Sequence, residues 1–119
     1  MVRYGFVAAV LVLISGSAEG TEEFSAKRLY GICQHHDPDS TEHIVCVSYV
    51  RGLIEGMLFG SVTAGTTVGY CPPENGISLE EGRRIIEKYM HDNPRHLHEK
   101  ASVIAGTALL SAFPCKTAN

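Results

Sequence analysis

Four cysteines, Cys33, Cys46, Cys71 and Cys115, stand behind an N-terminal segment built like an export leader, and this combination limits the fold more than any other feature. Arg3 precedes an apolar run from Gly5 to Ile14, and Ser15-Gly16-Ser17-Ala18 supplies the small residues of a cleavage site. Gly16 and Ala18 suit the two positions a signal peptidase reads, so 1–18 is expected to be a signal peptide cut after Ala18, with one domain over 19–119. The run falls well short of the roughly 20 apolar residues needed to span a bilayer. No lipid-anchor cysteine follows it. In an exported chain an even cysteine count reads as disulfides, whereas in a reducing compartment it would first suggest a metal or redox centre.

What remains is about a hundred residues, the size of one small domain, and a core of that size gains from covalent staples. The 13 Asp and Glu outnumber the 10 Lys and Arg only modestly, and the charges are interspersed. With no basic patch interleaved with aromatics, nucleic-acid binding is not expected. The stretch Ile44–Val62 comes nearest to a second membrane span. It carries Arg51 and Glu55, and five of its residues are Gly or Ser, so it reads as a buried core helix.

The pattern predicts an all-α fold, a bundle of four main helices with one long loop. A first helix is expected over about Thr21 to Gln34, ended by His35-His36-Asp37-Pro38, because Pro38 disfavours helix at the residue before it. Asp39-Ser40-Thr41-Glu42 has the form of a capping box for a second helix, with Asp39 as the cap. That helix is apolar on nearly every side, the mark of a centrally buried element, and is expected to end near Gly60. Ser61 to Ile77 reads as loop. Ser78-Leu79-Glu80-Glu81 is a second capping box, starting a helix whose apolar side holds Leu79, Ile85, Ile86, Tyr89 and Met90. His91-Asp92-Asn93-Pro94 breaks it, and Asn93 with Pro94 is expected to start a fourth helix that runs through Leu97, Ala101, Ile104 and Ala108 until Pro114. No segment alternates long enough to be a strand.

In order and spacing these residues resemble the Rap/Tai family of small exported proteins, named for immunity proteins of type VI secretion amidase effectors. The resemblance rests on Cys46-x-x-Tyr49-x-x-Gly52, on Cys71-Pro72-Pro73 followed by the capped helix at Ser78, on Tyr89-Met90, Asn93-Pro94 and Leu97-His98, and on Ala112-Phe113-Pro114-Cys115. It covers nearly all of the mature chain. Glu81 stands where the family often has Gln, and Asn93 where it often has His. Both are sound helix-start residues. The matching positions are structural ones, so the resemblance transfers no contact residues.

Four cysteines allow three pairings. Cys33–Cys46 and Cys71–Cys115 are favoured. Cys33 near the end of the first helix and Cys46 in the second turn of the next meet in an antiparallel hairpin, while Cys71 and Cys115 both sit beside Pro at segment boundaries. No Cys-x-x-Cys suggests redox or metal chemistry. The histidines at 35, 36, 43, 91, 96 and 98 gather near helix ends, where solvated or capping roles suffice; His96 and His98, two apart on a helix, would point about 200° apart and could not share an ion. No Gly-x-Ser-x-Gly elbow appears, and oxidised cysteines exclude a Cys-His mechanism, so neither an enzyme nor a cofactor is expected.

Ser48, Gly52, Gly56, Gly60 and Ala64 recur every four residues as a small-residue stripe. Internal packing is the favoured reading of it, and a homodimer contact the alternative. The loop is the best candidate for partner contact, with a passive connector the alternative left open: Cys71 pins one end, Thr63–Gly69 stays adaptable, and Glu74 and Asn75 project from a turn after two prolines. The resemblance implies a periplasmic binding protein that occludes the active cleft of a peptidoglycan amidase. The alternatives are an envelope structural or stress protein without a toxin partner, and a metal-handling protein using the histidines.

Overall fold

The computed structural model describes residues 23–65 and 69–116. The expected leader and its cleavage site lie outside the described residues. Four α-helices follow in chain order: α1 (Ala26–Cys33), α2 (Thr41–Ala64), α3 (Leu79–Asp92) and α4 (Ala101–Ala112), with a short 3₁₀ turn at Pro94–His96. The described residues hold no β-strand, only two isolated bridges, Ser25 to Lys100 and Tyr70 to Pro114. The all-α bundle and both favoured disulfides, Cys33–Cys46 and Cys71–Cys115, are present.

Two helix starts move relative to the sequence reading, each because a nearby serine is the better acceptor. α1 begins at Ala26, with Ser25 Oγ accepting from Arg28 N at 3.3 Å, and not at Thr21. α2 is capped by Ser40, whose Oγ accepts from His43 N at 3.1 Å, and not by Asp39. The Asp37 carboxylate takes the Asp39 amide instead, at 3.1 Å, which shapes the turn before the helix. The cap at Ser78 stands as expected, accepting from Glu81 N at 3.1 Å.

α4 begins at Ala101, seven residues later than Asn93-Pro94 implied. The reason is tertiary. The chain around Leu97–Ala101 runs alongside the approach to α1, with Ala26 N donating to Glu99 O (2.8 Å), Lys27 N to Leu97 O (2.7 Å) and Ala101 N to Phe24 O (2.9 Å). The first two satisfy amides at the start of α1 and the third an amide at the start of α4, which no helical turn could serve.

The core is formed by Leu29 and Cys33 of α1, Cys46 and Val50 of α2, Ile86 and Met90 of α3, and Leu109 of α4. α3 packs against all three other helices, whereas α2 and α4 make no comparable contact with each other. Gly82 is the closest approach: a Cβ there would lie 3.0 Å from Val50 Cγ1 and 3.2 Å from Ile54 Cδ1, so α3 rests on α2 at a point where only glycine fits without a shift.

The expectation that α2 is centrally buried is overturned. Only Cys46 and Val50 of its 24 residues are buried, and Phe59 and Val62 are 70% and 79% exposed. It also runs on past Gly60 to Ala64, ending on Gly65 in the left-handed conformation. Its apolar character on all sides reflects a helix that packs by one edge and leaves the rest uncovered. By length and composition α2 is long and apolar enough to cross a membrane. Yet its first half is tied to α1 by the Cys33–Cys46 disulfide, and a charge such as Arg51 near the middle of a span costs about 2.5–3.5 kcal/mol.

Candidate functional site

Two surface features stand out, the loop from α2 to α3 and a groove between α2 and α4. Because α2 continues to Ala64, the loop is shorter than the sequence suggested, and Thr63 and Ala64 are helical; residues 66–68 lie outside the described residues. After Gly69 the chain is fastened to its own C-terminal end. Tyr70 bridges to Pro114, Cys71 N donates to Phe113 O at 2.9 Å, and Cys71 is bonded to Cys115. Tyr70 is 3% exposed and meets the Phe113 ring edge-on, with centroids 6.2 Å apart. Its hydroxyl is buried without a hydrogen-bond partner among the described residues, and burial, aided by the Glu81 carboxylate, raises its pKa above the usual tyrosine value.

Beyond this anchor the chain makes a tight turn. Gly76 N donates to Pro73 O at 2.8 Å, with Gly76 at φ 71°, a left-handed conformation that glycine adopts without steric cost. Glu74 and Asn75 are the two central residues of that turn, and both are exposed. Ile77 then reaches back towards Gly82, and the Ser78 cap opens α3. The tip is therefore held from both sides, by a disulfide and a buried tyrosine before it and by a capped helix after it.

The groove holds about 360 Å³. Gly52, Gly56 and Gly60 with Leu53 and Met57 form the α2 side, and Ser102, Gly106 and Leu110 the α4 side. The small-residue stripe thus faces open space: among the described residues, a Cβ on Gly52, Gly56 or Gly60 would meet no atom of another element within 4 Å. Internal packing, the favoured reading of the stripe, is corrected on this point, since α4 does not close over it.

The charged residues play a structural part. Arg83, 5% exposed, donates to the Cys33 carbonyl at 3.3 Å and is ion-paired with Glu80 and Glu87. Hydrogen bonding from Arg83 holds the Glu80 carboxyl below the usual range, and the two carboxylates raise the Arg83 pKa. His36 Nε2 lies 3.0 Å from Glu87, extending the chain of charges to the turn after α1. The spacing Glu80-x-x-Arg83-x-x-x-Glu87 is legible in the sequence as helix neighbours, but the burial of Arg83 against a disulfide carbonyl is not.

The histidines are dispersed. His91 Nδ1 lies 3.0 Å from the Tyr30 hydroxyl, His96 Nδ1 is 2.6 Å from Glu99, and His43 Nδ1 is 3.1 Å from the His35 carbonyl. Among the described residues no three His, Cys, Asp or Glu side chains are grouped to hold a metal ion. His96 and His98 are not on an α-helix, so the argument from helical spacing does not apply to them.

A family model described as Rap1a immunity proteins matches residues 25–115, from the cap of α1 to the last cysteine. No curated protein and no solved structure matches the chain.

Proposed function

Since the chain belongs to the Rap1a immunity protein family, we propose that it acts in the periplasm by binding a peptidoglycan amidase toxin and covering its active cleft, with Glu74 and Asn75 at the contact. An immunity-type role is what the family carries. The amidase target comes from the resemblance to immunity proteins of amidase effectors, and the periplasm from the leader-like first 18 residues and the two disulfides.

The observation that carries the contact reading is the construction of the 73–76 turn. Two exposed polar residues sit at the tip of a segment fixed on one side by Cys71–Cys115 and Tyr70, and on the other by the Ser78 cap. A tip held this way loses little conformational freedom when bound, and ordering cost is what most often weakens loop-mediated association. The carboxylate of Glu74 and the amide of Asn75 offer acceptors and donors to a cleft built to hold a peptide. The action is steric and stoichiometric, with no chemistry of its own.

The test uses the mature protein and a candidate amidase. Calorimetry is expected to give tight one-to-one binding, and peptidoglycan hydrolysis should stop at equivalence. Glu74→Lys with Asn75→Ala should weaken binding by about 100-fold, a loss of the size typical of a central contact, while leaving the thermal midpoint in place. Full inhibition by that double variant would move the contact away from the turn. No binding to any amidase supplied would remove the amidase reading. Mass spectrometry of the periplasmic fraction should find the mature chain starting at Glu19.

A further inference from the structure

We infer that Cys71–Cys115 is a redox latch on the 73–76 tip: an external dithiol opens this bond alone, with Cys33–Cys46 intact, and the freed tip loses affinity for its partner. The two disulfides differ in access. Cys33 and Cys46 are fully buried in the core, whereas Cys71 is exposed and Cys115 half-buried. Thiol–disulfide exchange requires a thiolate to reach a sulfur, so exposed bonds are the labile ones. A bond in the core waits until the helices around it part.

Opening proceeds in two exchanges. A thiolate of the dithiol attacks the Cys71 sulfur, forms a mixed disulfide and releases the Cys115 thiolate. The second thiolate of the dithiol attacks its own sulfur in the mixed disulfide and releases the Cys71 thiolate. Two electrons pass from the dithiol, which ends as a disulfide, and the two protons it gave up end on Cys71 and Cys115.

Little else holds the near side of the tip. Among the described residues, two backbone bonds are donated between Cys71 and Ile77. Cys71 N donates to Phe113 O at 2.9 Å, and Gly76 N donates to Pro73 O inside the turn itself. Pro72 and Pro73 have no N–H to offer, and Glu74 and Asn75 are exposed. With the disulfide open, a single backbone bond at an exposed residue ties this side of the tip to the end of α4, and water competes for it. The loss is local. Phe113 N still donates to Leu109 O at 3.0 Å, Tyr70 is buried against the Phe113 ring, and the Ser78 cap holds the far side. Each residue that has to be re-ordered on binding costs roughly tenfold in affinity, so a tip released at Cys71 binds at least about tenfold more weakly. The weakening rests on the tip being the toxin contact; the selective opening of the bond does not. Binding competence is thereby tied to an oxidising compartment.

The test treats the oxidised mature chain with graded dithiothreitol at neutral pH, quenched with iodoacetamide. Peptide mapping should find Cys71 and Cys115 alkylated at least about tenfold faster than Cys33 and Cys46. Cys71→Ala with Cys115→Ala mimics the open bond without an alkyl group. At short labelling times the amides at positions 71 and 76 of this variant should have lost protection from hydrogen exchange, while α1 and α3 stay protected. By calorimetry, an amidase that binds the oxidised chain should bind the variant at least about tenfold more weakly, and the reduced native chain should regain its affinity on reoxidation. If no amidase binds the oxidised chain, the toxin contact falls and labelling and exchange still decide the latch. Cys33–Cys46 opening first or at the same rate overturns it. So does continued protection at positions 71 and 76, loss of protection in all helices together, or full amidase affinity in the variant.

Discussion

The two disulfides close loops of different length in very different surroundings, and serine and alanine replacements should separate the two effects. Cys71 and Cys115 are 44 residues apart, Cys33 and Cys46 only 13. On loop-closure entropy alone, opening the long loop costs about 4.0 kcal/mol at 25 °C and opening the short one about 2.9. Burial then acts in the opposite direction. Cys33 and Cys46 are fully buried in the core, whereas Cys71 is exposed and Cys115 is half-buried. Losing two buried sulfurs adds about 1–2 kcal/mol of packing to the short loop's cost, so the two alanine pairs should fall within about 1 kcal/mol of each other.

Serine breaks the tie. A hydroxyl buried without a partner costs about 1–3 kcal/mol, and a bond back to the preceding helical turn recovers only part of that. Cys33→Ser with Cys46→Ser should therefore be at least about 1 kcal/mol less stable than the alanine pair, whereas the two versions at 71 and 115 should be indistinguishable. Urea denaturation followed by circular dichroism reads this directly, as a shift in midpoint with the slope unchanged. If the serine pair at 33 and 46 does not fold, the alanine pair still reports the loop term. Equal stability for the serine and alanine versions at 33 and 46 would refute the placement of that disulfide in the core. A larger serine penalty at 71 and 115 would refute the exposure of the other.

Gly82→Leu should lower stability by about 1–3 kcal/mol in thermal melts, because its Cβ already meets Val50 and Ile54; no loss would mean that α2 and α3 are further apart. Tyr70→Phe removes a buried hydroxyl that has no partner, so stability should hold or rise by up to about 1 kcal/mol, and a clear fall in the urea midpoint would show that the hydroxyl is bonded. Glu80 has its pKa lowered, first by the hydrogen bond from Arg83, so in the acid range the unfolded chain binds the proton more readily. Its contribution is complete above the ordinary glutamate value of about 4.3 and is lost as pH falls through the lowered value. Urea midpoints taken from pH 6 down to pH 3 should show this decline, and Glu80→Gln should make it shallower.

Much of the fold was legible because its signals are local. A serine two or three residues before an apolar run can accept from the helix amides wherever the helix packs, so Ser78 was placed correctly and Ser40 missed by one position, in favour of Asp39. Cys33 and Cys46 could be paired because helices joined by so short a turn have to run antiparallel. Glu74 and Asn75 could be placed at a tip because Pro73 and Gly76 allow few backbone shapes between them. The family resemblance drew on the same local features.

What the sequence determined by itself was the number and kind of elements and the capped start of α3, each of which follows from residues a few positions apart, together with the favoured pairing of the cysteines. Only the tertiary structure decided which side of α2 is covered. Its pattern is apolar all round, and nothing within a uniformly apolar helix says where its neighbours stop. The start of α4 was settled the same way, by backbone bonds from Leu97 and Glu99 to the beginning of α1, about seventy residues away in the chain. The groove follows from both: α4 is short and held towards α1 and α3, α2 is long and packs by one edge, and the glycines between them stay open because no described element is placed to fill the gap.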